Sequence, residues 1–147
     1  MNGWYALAAA AIGWLIAQTW KTIAGLVSKN RPKDMNFATF IGYATRSGGM
    51  PSGHSAAMAA LTTYIGWAVG FDSGLFALAL AVSLIIIYDA VHVRYAVGEQ
   101  GKLLNILAQK ADQKPLRVVE GHTIAQACVG VLIGVISGVI MAILTKA

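Results

Sequence analysis

The sequence predicts an all-α integral membrane protein, a polytopic bundle of about four transmembrane helices. Of its 147 residues, 57% are hydrophobic and only 12% are charged, whereas charged residues make up about a quarter of a soluble domain. The mean hydropathy is +0.65, and four stretches with almost no charge each approach the ~20 residues that cross a bilayer. This composition excludes an ordinary soluble domain, and the length leaves room for a single integral-membrane domain over residues 1–147.

The four predicted spans follow from the gaps between charged residues. They cover Gly3–Trp20, Met50–Phe71, Ser73–Tyr88 and Gly121–Thr145. Asp72 alone separates the second span from the third, and the glycines around it predict a tight reversal, so these two helices should form a hairpin. The first stretch lacks the basic start and the cleavage signal of a secretory peptide, and we therefore expect it to be retained as a helix.

Two long basic connections predict the orientation of the chain. The segments Lys29–Gly49 and Arg94–Arg117 together contain nine of its eleven Lys and Arg residues. Both lie on one side of a four-span chain, so the positive-inside rule places them in the cytoplasm and both termini outside. A basic catalytic pocket would bias the same count. The localisation we expect is the plasma membrane of a bacterium.

The second connection also carries an amphipathic pattern. Leu103, Leu104 and Leu107 recur at helical spacing, with charged residues on the other faces. This pattern favours a helix that lies in the membrane interface, and a solvated extension of the third span remains the alternative.

Small residues recur at every fourth position on two of the spans. They are Ala9, Gly13 and Ala17 in the first span and Gly130, Gly134 and Gly138 in the last. Such stripes let helix backbones approach closely, which favours packing within the chain, and a homodimer through these faces is the alternative. The single cysteine, Cys128, excludes a disulfide framework within the chain.

The net charge of +5 has two interpretations. The basic residues either hold loops against an anionic leaflet or form a site that receives an anionic substrate. The partners we expect are membrane lipids and a lipid phosphate, with no nucleic acid.

The most informative polar motif is a glycine-rich turn, Gly48 to Ser55, that leads into the second span. Ser52 can cap that helix, and Gly53 lets an anion approach the backbone. The first-turn N–H groups and the positive end of the helix dipole would then form a phosphate cradle. Beside such a cradle, His54 is suited to protonate a leaving oxygen, although a polar cap at the interface also explains it.

These residues resemble a known family. Pro51-Ser52-Gly53-His54 is similar to the second motif of the type 2 phosphatidic acid phosphatase and vanadium haloperoxidase superfamily. The wider series resembles the small divergent membrane branch of that superfamily. Its members are Gly49 to Ala56, Tyr88-Asp89-Ala90 with Val93-Arg94, Leu104-Asn105, and Glu120-Gly121-His122-Thr123. The resemblance spans roughly Lys21 to Gly134, most of the chain, with the motifs in the same order.

The resemblance implies a membrane phosphatase that needs no metal or other cofactor and hydrolyses a lipid phosphomonoester or diphosphate. In this mechanism His122 attacks phosphorus and becomes a phosphohistidine, while His54 protonates the leaving group. The implied phosphate-binding residues are Lys21, Arg31, Ser52, Gly53 and Arg94, with Asp89, Arg46 and Gln126 in support. The sequence independently supports His122, which opens the last span at the membrane face of His54, although an interface cap explains it too.

The first and third motifs depart from the superfamily pattern. Seven residues before Arg31 the superfamily has Lys, whereas this chain has Ala24. Lys21 is the substitute that we favour and Lys29 is the second choice, while a lysine that snorkels to the interface explains Lys21 as well. The third motif of the superfamily has a Ser-Arg pair shortly before its His, whereas here Arg117 lies at roughly that distance without the Ser. Arg94, on a helix beside Asp89, is the phosphate ligand that we favour, and Arg117 is the alternative.

Two further positions bear on catalysis. Asp89 follows an apolar run, where a carboxylate needs a partner, and Arg94 is the partner we expect. Gln126 stands where the superfamily places an Asp that orients the nucleophile; its amide oxygen can fix the tautomer of an imidazole but cannot stabilise positive charge as a carboxylate does. This departure keeps open a second function, a non-catalytic lipid-phosphate-binding or transport-associated membrane protein. Phosphatidic acid, phosphatidylglycerophosphate and polyprenyl diphosphate all fit the enzyme hypothesis.

Overall fold

The computed structural model describes residues 2–28, 36–37, 41, 48–116, 118 and 121–147. Within these residues every element is a helix, which confirms the predicted all-α class. The elements are α1 (Gly3–Val27), α2 (Gly53–Val69), α3 (Gly74–Tyr88), a π-helical segment (Asp89–Val93), α4 (Arg94–Lys110) and α5 (Ile124–Thr145).

The predicted hairpin joins α2 to α3. Gly70 has a φ of +97°, a conformation that favours glycine, and it ends α2 with its N–H bonded to the Gly66 carbonyl. The Ser73 hydroxyl donates to the Gly70 carbonyl at 2.7 Å and accepts from the Phe76 N–H at 3.2 Å. One serine therefore closes the turn and caps the next helix.

The helix of the third span continues past Tyr88, where the charge pattern places the end of the span. The π-helical segment connects α3 directly to α4, and the two form one helix of 37 residues, Gly74–Lys110. No proline interrupts this stretch, so nothing local breaks the helix. At 1.5 Å per residue it is about 55 Å long, well beyond the ~30 Å hydrocarbon core of a bilayer. The amphipathic segment is thus continuous with the third helix, and its leucines stay exposed. Its position in the membrane interface stays a prediction.

Small residues let α2 pack tightly between α1 and α5. A Cβ at Gly13 would lie 2.9 Å from the Ala56 carbonyl oxygen on one side of α2. On α5, a Cβ at Gly134 would collide with the same oxygen, and one at Gly138 would lie 2.7 Å from the Ala60 carbonyl oxygen. Both small-residue stripes therefore face α2 within the chain. A homodimer through the same faces stays a prediction.

The distribution of side-chain sizes is that of a membrane protein. The described core consists largely of Ala, Gly, Ser and Thr, whereas large aliphatic side chains lie on the outside. Exposed examples with more than half of their surface accessible are Leu78, Leu84, Ile85, Leu132, Ile143 and Leu144. Two helices of the described residues, Gly74–Lys110 and Ile124–Thr145, have the length and hydropathy to cross a bilayer. The 25-residue α1 and the 17-residue α2 pack beside them, in agreement with about four spans.

Candidate active site

The glycine-rich turn leads into the N-terminus of α2, as predicted. Ser52 is the N-cap: its hydroxyl accepts from the Ser55 N–H at 3.4 Å and from the Ser55 hydroxyl at 2.9 Å. The Ser52 N–H donates to the Gln126 carbonyl at 3.0 Å, which ties the turn to α5. Ser52 is fully buried, so in this structure its side chain acts as a cap. Binding of phosphate by this turn stays a prediction.

Gly53 is buried beneath α1. A Cβ at this position would lie 3.1 Å from the indole Cδ1 of Trp14. Close packing of two helices therefore also requires a small residue at Gly53, in addition to any approach of an anion.

The backbone before α5 holds His122 against the π-helical segment. Within that segment the Arg94 N–H bonds to the Asp89 carbonyl, and the Ala90 carbonyl accepts the His122 N–H at 3.0 Å. A Cβ at Gly121 would collide with the backbone of Arg94 and its neighbour Tyr95. Single π-helical turns are frequent at functional sites. Here the π turn supplies a backbone acceptor that anchors the candidate nucleophile.

The ring of His122 is oriented by the capping box of α5. Its Nδ1 lies 3.3 Å from Gln126 Oε1, the same oxygen that accepts the Thr123 N–H at 3.0 Å. A backbone N–H can only donate, so the Gln126 atom that it contacts must be the amide oxygen. That oxygen can only accept, and Nδ1 must therefore carry the proton. In the neutral ring, Nε2 then holds the lone pair that a nucleophile needs.

Burial lowers the pKa of His122 below its ordinary value, and this is the largest effect on the ring. The positive charge of Lys21 and the neighbouring His54 lower the pKa further, whereas hydrogen bonds with Gln126 and with the Gly49 backbone raise it. The net direction is downward, so the unprotonated ring predominates at neutral pH.

Three of the other predicted residues lie around the two histidines. Lys21, in the last two turns of α1, passes its side chain along Gly49, where a Cβ would lie 3.9 Å from the lysine Cγ and Cδ. His54 lies at the start of α2, and its pKa is lowered, first by partial burial of the ring and then by the charges of Arg94 and Lys21, while Asp89 raises it. The two histidines also interact with each other. The fold therefore gathers Lys21, His54, Asp89, Arg94 and His122 at one end of the bundle.

The predicted partnership of Asp89 and Arg94 is confirmed. The Arg94 Nε donates to the Asp89 carboxylate at 2.5 Å, with 49% and 37% of the two side chains exposed. Solvent screens a pair this accessible, so the bond orients the guanidinium more than it stabilises the fold. The terminal nitrogens of Arg94 retain donors that can contact a phosphate.

Several predicted residues lie outside the described part of the chain. They are Arg31 and Arg46, together with the alternative ligands Lys29 and Arg117. His92, which matched no motif, stacks on Tyr88 with ring centroids 4.3 Å apart and an interplanar angle of 15°. Its exposed position on the π-helical segment agrees with the interface role expected from the sequence.

The sequence motif Leu104-Asn105 acquires a role in the structure that spacing alone did not indicate. The Asn105 amide donates to the Leu116 carbonyl at 3.0 Å and accepts the Leu116 N–H at 2.6 Å. One turn earlier on α4, Gly101 leaves room for the Val118 side chain, which would lie 3.0 Å from a Cβ at position 101. Asn105 and Gly101 thus fold the connection onto α4 and lead it back toward His122.

A pocket next to His122 contains residues that the sequence analysis missed. Its volume is about 130 Å³, and it is lined by Gly49, Tyr95, Gly98, Glu99, Lys102, Gly121, Thr123 and Gln126. The spacing of Tyr95, Glu99 and Lys102 places them along one face of a helix. That spacing becomes informative only once Arg94–Lys110 is known to be helical and adjacent to the glycine-rich turn.

Comparison with known proteins places this arrangement in a family. A family model described as the Divergent PAP2 family matches residues 4–137, which include all the site residues described above. The chain belongs to the Divergent PAP2 family. The resemblance of its motifs to the divergent membrane branch is thereby confirmed.

A relative of this Divergent PAP2 family member is YuiD of Bacillus subtilis (strain 168), an uncharacterized membrane protein. The two are 35% identical over 115 residues, which cover 67% of this chain and 73% of the relative. No solved structure matches the chain. Like YuiD, the protein is a membrane protein, as the outward-facing aliphatic side chains and two apolar helices indicate.

Proposed function

We propose that this Divergent PAP2 family member is a lipid phosphate phosphatase that acts through a phosphohistidine on His122. The observation that carries the proposal is the orientation of His122. Its Nδ1 donates to Gln126 Oε1, which is identified as the amide oxygen because it also accepts the Thr123 N–H of the capping box. Nε2 is then the nucleophilic nitrogen. A residue that only bound phosphate would require no such control of its tautomer.

The reaction proceeds in two displacements. In the first, Nε2 of His122 attacks phosphorus, the P–N bond forms, the bond from phosphorus to the leaving oxygen breaks, and protonated His54 donates its proton to that oxygen. In the second, neutral His54 takes a proton from water as the water oxygen attacks phosphorus. The P–N bond breaks, inorganic phosphate leaves, and both imidazoles return to their initial states.

The charges near the two histidines suit a phosphate ester. Lys21 and Arg94 supply cations at the same end of the bundle, and the Arg94 side chain is oriented by Asp89. Cations that are already in place stabilise the charge of a phosphoryl group during transfer. They would also serve a protein that only binds phosphate, and for that reason they support the substrate class more than the reaction.

The position of the site favours a lipid substrate. His122 lies at the start of α5, whose remaining length is an apolar helix with exposed aliphatic side chains. A lipid can place its phosphate at such a helix end while its chains stay in the hydrocarbon region. We place the basic connections, and with them the site, on the cytoplasmic face of a bacterial plasma membrane.

A non-catalytic lipid-phosphate-binding protein is the second candidate, and Gln126 favours it. The amide cannot stabilise the positive charge that develops on His122 as a carboxylate would. Turnover separates the two candidates, because a binding protein retains affinity for lipid phosphates but releases no phosphate.

The first experiment measures phosphate release by the purified protein from phosphatidic acid, phosphatidylglycerophosphate and polyprenyl diphosphate, with chelator present. We expect release from at least one lipid and its loss in His122→Ala, together with loss of an acid-labile, base-stable phosphoryl-protein. His92→Ala is the matched control, because that histidine stacks on Tyr88 and should leave turnover unchanged. Wild-type hydrolysis by His122→Ala would contradict the mechanism.

The second experiment separates the role of His54 from that of His122. Without a proton donor, an alkoxide leaves slowly, and His54→Ala should reduce hydrolysis of a lipid phosphate by ~10²–10⁴-fold. An aryl phosphate has a good leaving group and should be much less affected. Equal losses on both substrates would indicate that His54 binds phosphate or supports the structure.

A further inference from the structure

The pocket beside His122 has a lining that indicates what it can bind. Among the residues that the structure describes, those that line it are polar or glycine apart from the ring of Tyr95, and none is aliphatic. Three glycines, Gly49, Gly98 and Gly121, form its wall from backbone. Acyl and prenyl chains favour apolar walls. The pocket is therefore unsuited to a lipid chain.

The size of the pocket limits the occupant to a small group. Its volume of about 130 Å³ is well below the roughly 300–1,000 Å³ of pockets that hold drug-sized ligands. The pocket also adjoins the position proposed for the phosphate, because Gln126 lines the pocket and bonds the His122 ring. A small group attached to the bound phosphate satisfies both conditions.

The charged residues that line the pocket favour an uncharged group over a second phosphate as its occupant. On α4, Lys102 Nζ lies 2.8 Å from Glu99 Oε1, and both residues line the pocket. The carboxylate would repel a second phosphate and withdraws part of the lysine charge from it, although solvent screens both effects because the Lys102 and Glu99 side chains are 58% and 53% exposed. The same pair presents an acceptor and donors, which match a hydroxyl group.

We propose that this pocket, the headgroup pocket, binds a hydroxyl group carried on the alcohol that is esterified to the phosphate. This inference rests on the proposed function and narrows its substrate class. The preferred substrate is a phosphomonoester whose alcohol carries a neighbouring hydroxyl, as in a phosphorylated glycerol headgroup. A phosphomonoester without that hydroxyl and a diphosphate are weaker ligands.

Binding of three non-hydrolysable lipids to the purified protein in detergent tests the proposal. The probes are a long-chain alkyl phosphonate, the same phosphonate with a hydroxyl on the third carbon from phosphorus, and the corresponding alkyl bisphosphonate, compared by titration calorimetry. We expect the hydroxylated phosphonate to bind about tenfold more tightly than the plain one, the gain of one or two hydrogen bonds. The bisphosphonate should bind no more tightly than the plain phosphonate. Equal affinities for the hydroxylated and plain probes would overturn the proposal.

Two substitutions at Glu99 separate its hydrogen bond from its charge. Glu99→Leu should reduce the preference for the hydroxylated probe to about twofold or less, because the acceptor is lost. Glu99→Gln keeps an acceptor but removes the charge, and should tighten bisphosphonate binding by about tenfold. Gln100→Leu, also exposed on α4 but outside the lining, should change neither ratio. A Glu99→Leu protein that keeps the full hydroxyl preference would refute the assignment.

Hydrolysis of the matching phosphate esters is measured as well, so that failure of the pocket proposal can be told apart from failure of the phosphatase mechanism. The expected binding preference without hydrolysis would support the pocket and refute the enzyme. Hydrolysis without a preference would refute the pocket and leave the enzyme. A short-chain, water-soluble version of the hydroxylated phosphonate distinguishes the source of the ligand: equal affinity indicates a soluble phosphate ester, and weaker affinity indicates a lipid.

Discussion

Replacing Gln126 with Glu should raise the pKa of His122 and move the acidic limb of the kcat/KM profile to higher pH. In the wild type burial lowers the pKa of His122 below the ordinary ~6.5. The neutral nucleophile therefore persists below that pH, and the rate falls only as the pH drops through the lowered pKa. A Glu at this position keeps the capping box of α5, since Glu suits the third position of a helix as well as Gln does. The substitution thus changes charge while keeping the cap.

The distance between the two side chains determines the size of this shift. His122 Nδ1 lies 3.3 Å from Gln126 Oε1, so a carboxylate would place its charge about 4 Å from the ring. At an effective dielectric constant of about 20, Coulomb attraction at this distance is about 4 kcal/mol. Partial exposure of residue 126 and the nearby Lys21 charge reduce it to about 2 kcal/mol. Since one pKa unit corresponds to about 1.4 kcal/mol, the expected rise is about 1.5 units.

The assay is the pH dependence of kcat/KM on a lipid phosphate, supported by ring-nitrogen NMR of His122. The acidic limb should rise by about 1.5 units in Gln126→Glu, and the rate above that limb should increase because the carboxylate stabilises the charged ring. Gln109→Glu adds the same charge near the C-terminal end of α4 and serves as the control. If the acidic limb does not move in Gln126→Glu, residue 126 does not control the His122 ring through a contact with Nδ1, and the reasoning is refuted.

Three further predictions concern folding and topology. Gly121→Ala should lower the free energy of unfolding by about 1–3 kcal/mol, measured by denaturation in detergent, because its methyl group meets the backbone of α4; Gly74→Ala has open space around it and should be neutral. Asn105→Leu removes both hydrogen bonds to Leu116 and should cost about 1–2 kcal/mol, with faster hydrogen exchange at the Leu116 amide and no such change if the bonds do not form in solution. In a background without the native cysteine, Lys33→Cys should be labelled only from the cytoplasm and Gly74→Cys only from outside. Labelling of Lys33→Cys from outside would show that the topology is inverted.

Sequence patterns were sufficient for the helices because the interactions that form them are local. Runs without charge predicted the spans, and Gly70 with Ser73 predicted the hairpin, since a left-handed turn and an N-cap involve residues close in the chain. The helix of the third span continues past the predicted end of that span for a related reason. Asp89 marks where the apolar sequence stops, but a helix ends only where its backbone hydrogen bonds are interrupted, and this helix continues through the π turn to Lys110.

The residues proposed for the site could be chosen from local sequence, whereas their assembly could not be predicted. The hypothesis of phosphate chemistry came from a glycine-rich turn with His54 and a span that opens with His122. Their approach depends on how closely α2 can pack against α1 and α5. That distance is determined by small residues on three helices that are far apart in the chain, such as Gly13 and Gly134.

By itself the sequence determined the membrane class, the helices, the family motifs and the kinds of side chain available for catalysis. The tertiary structure alone decided that the Ala90 carbonyl anchors His122 and that Glu99 and Lys102 border a pocket beside Gln126. The physical reason is the range of the interactions. Periodicity, capping and charge-free length act over a few neighbouring residues, whereas a backbone contact between a π turn and the start of α5 exists only after the helices have packed.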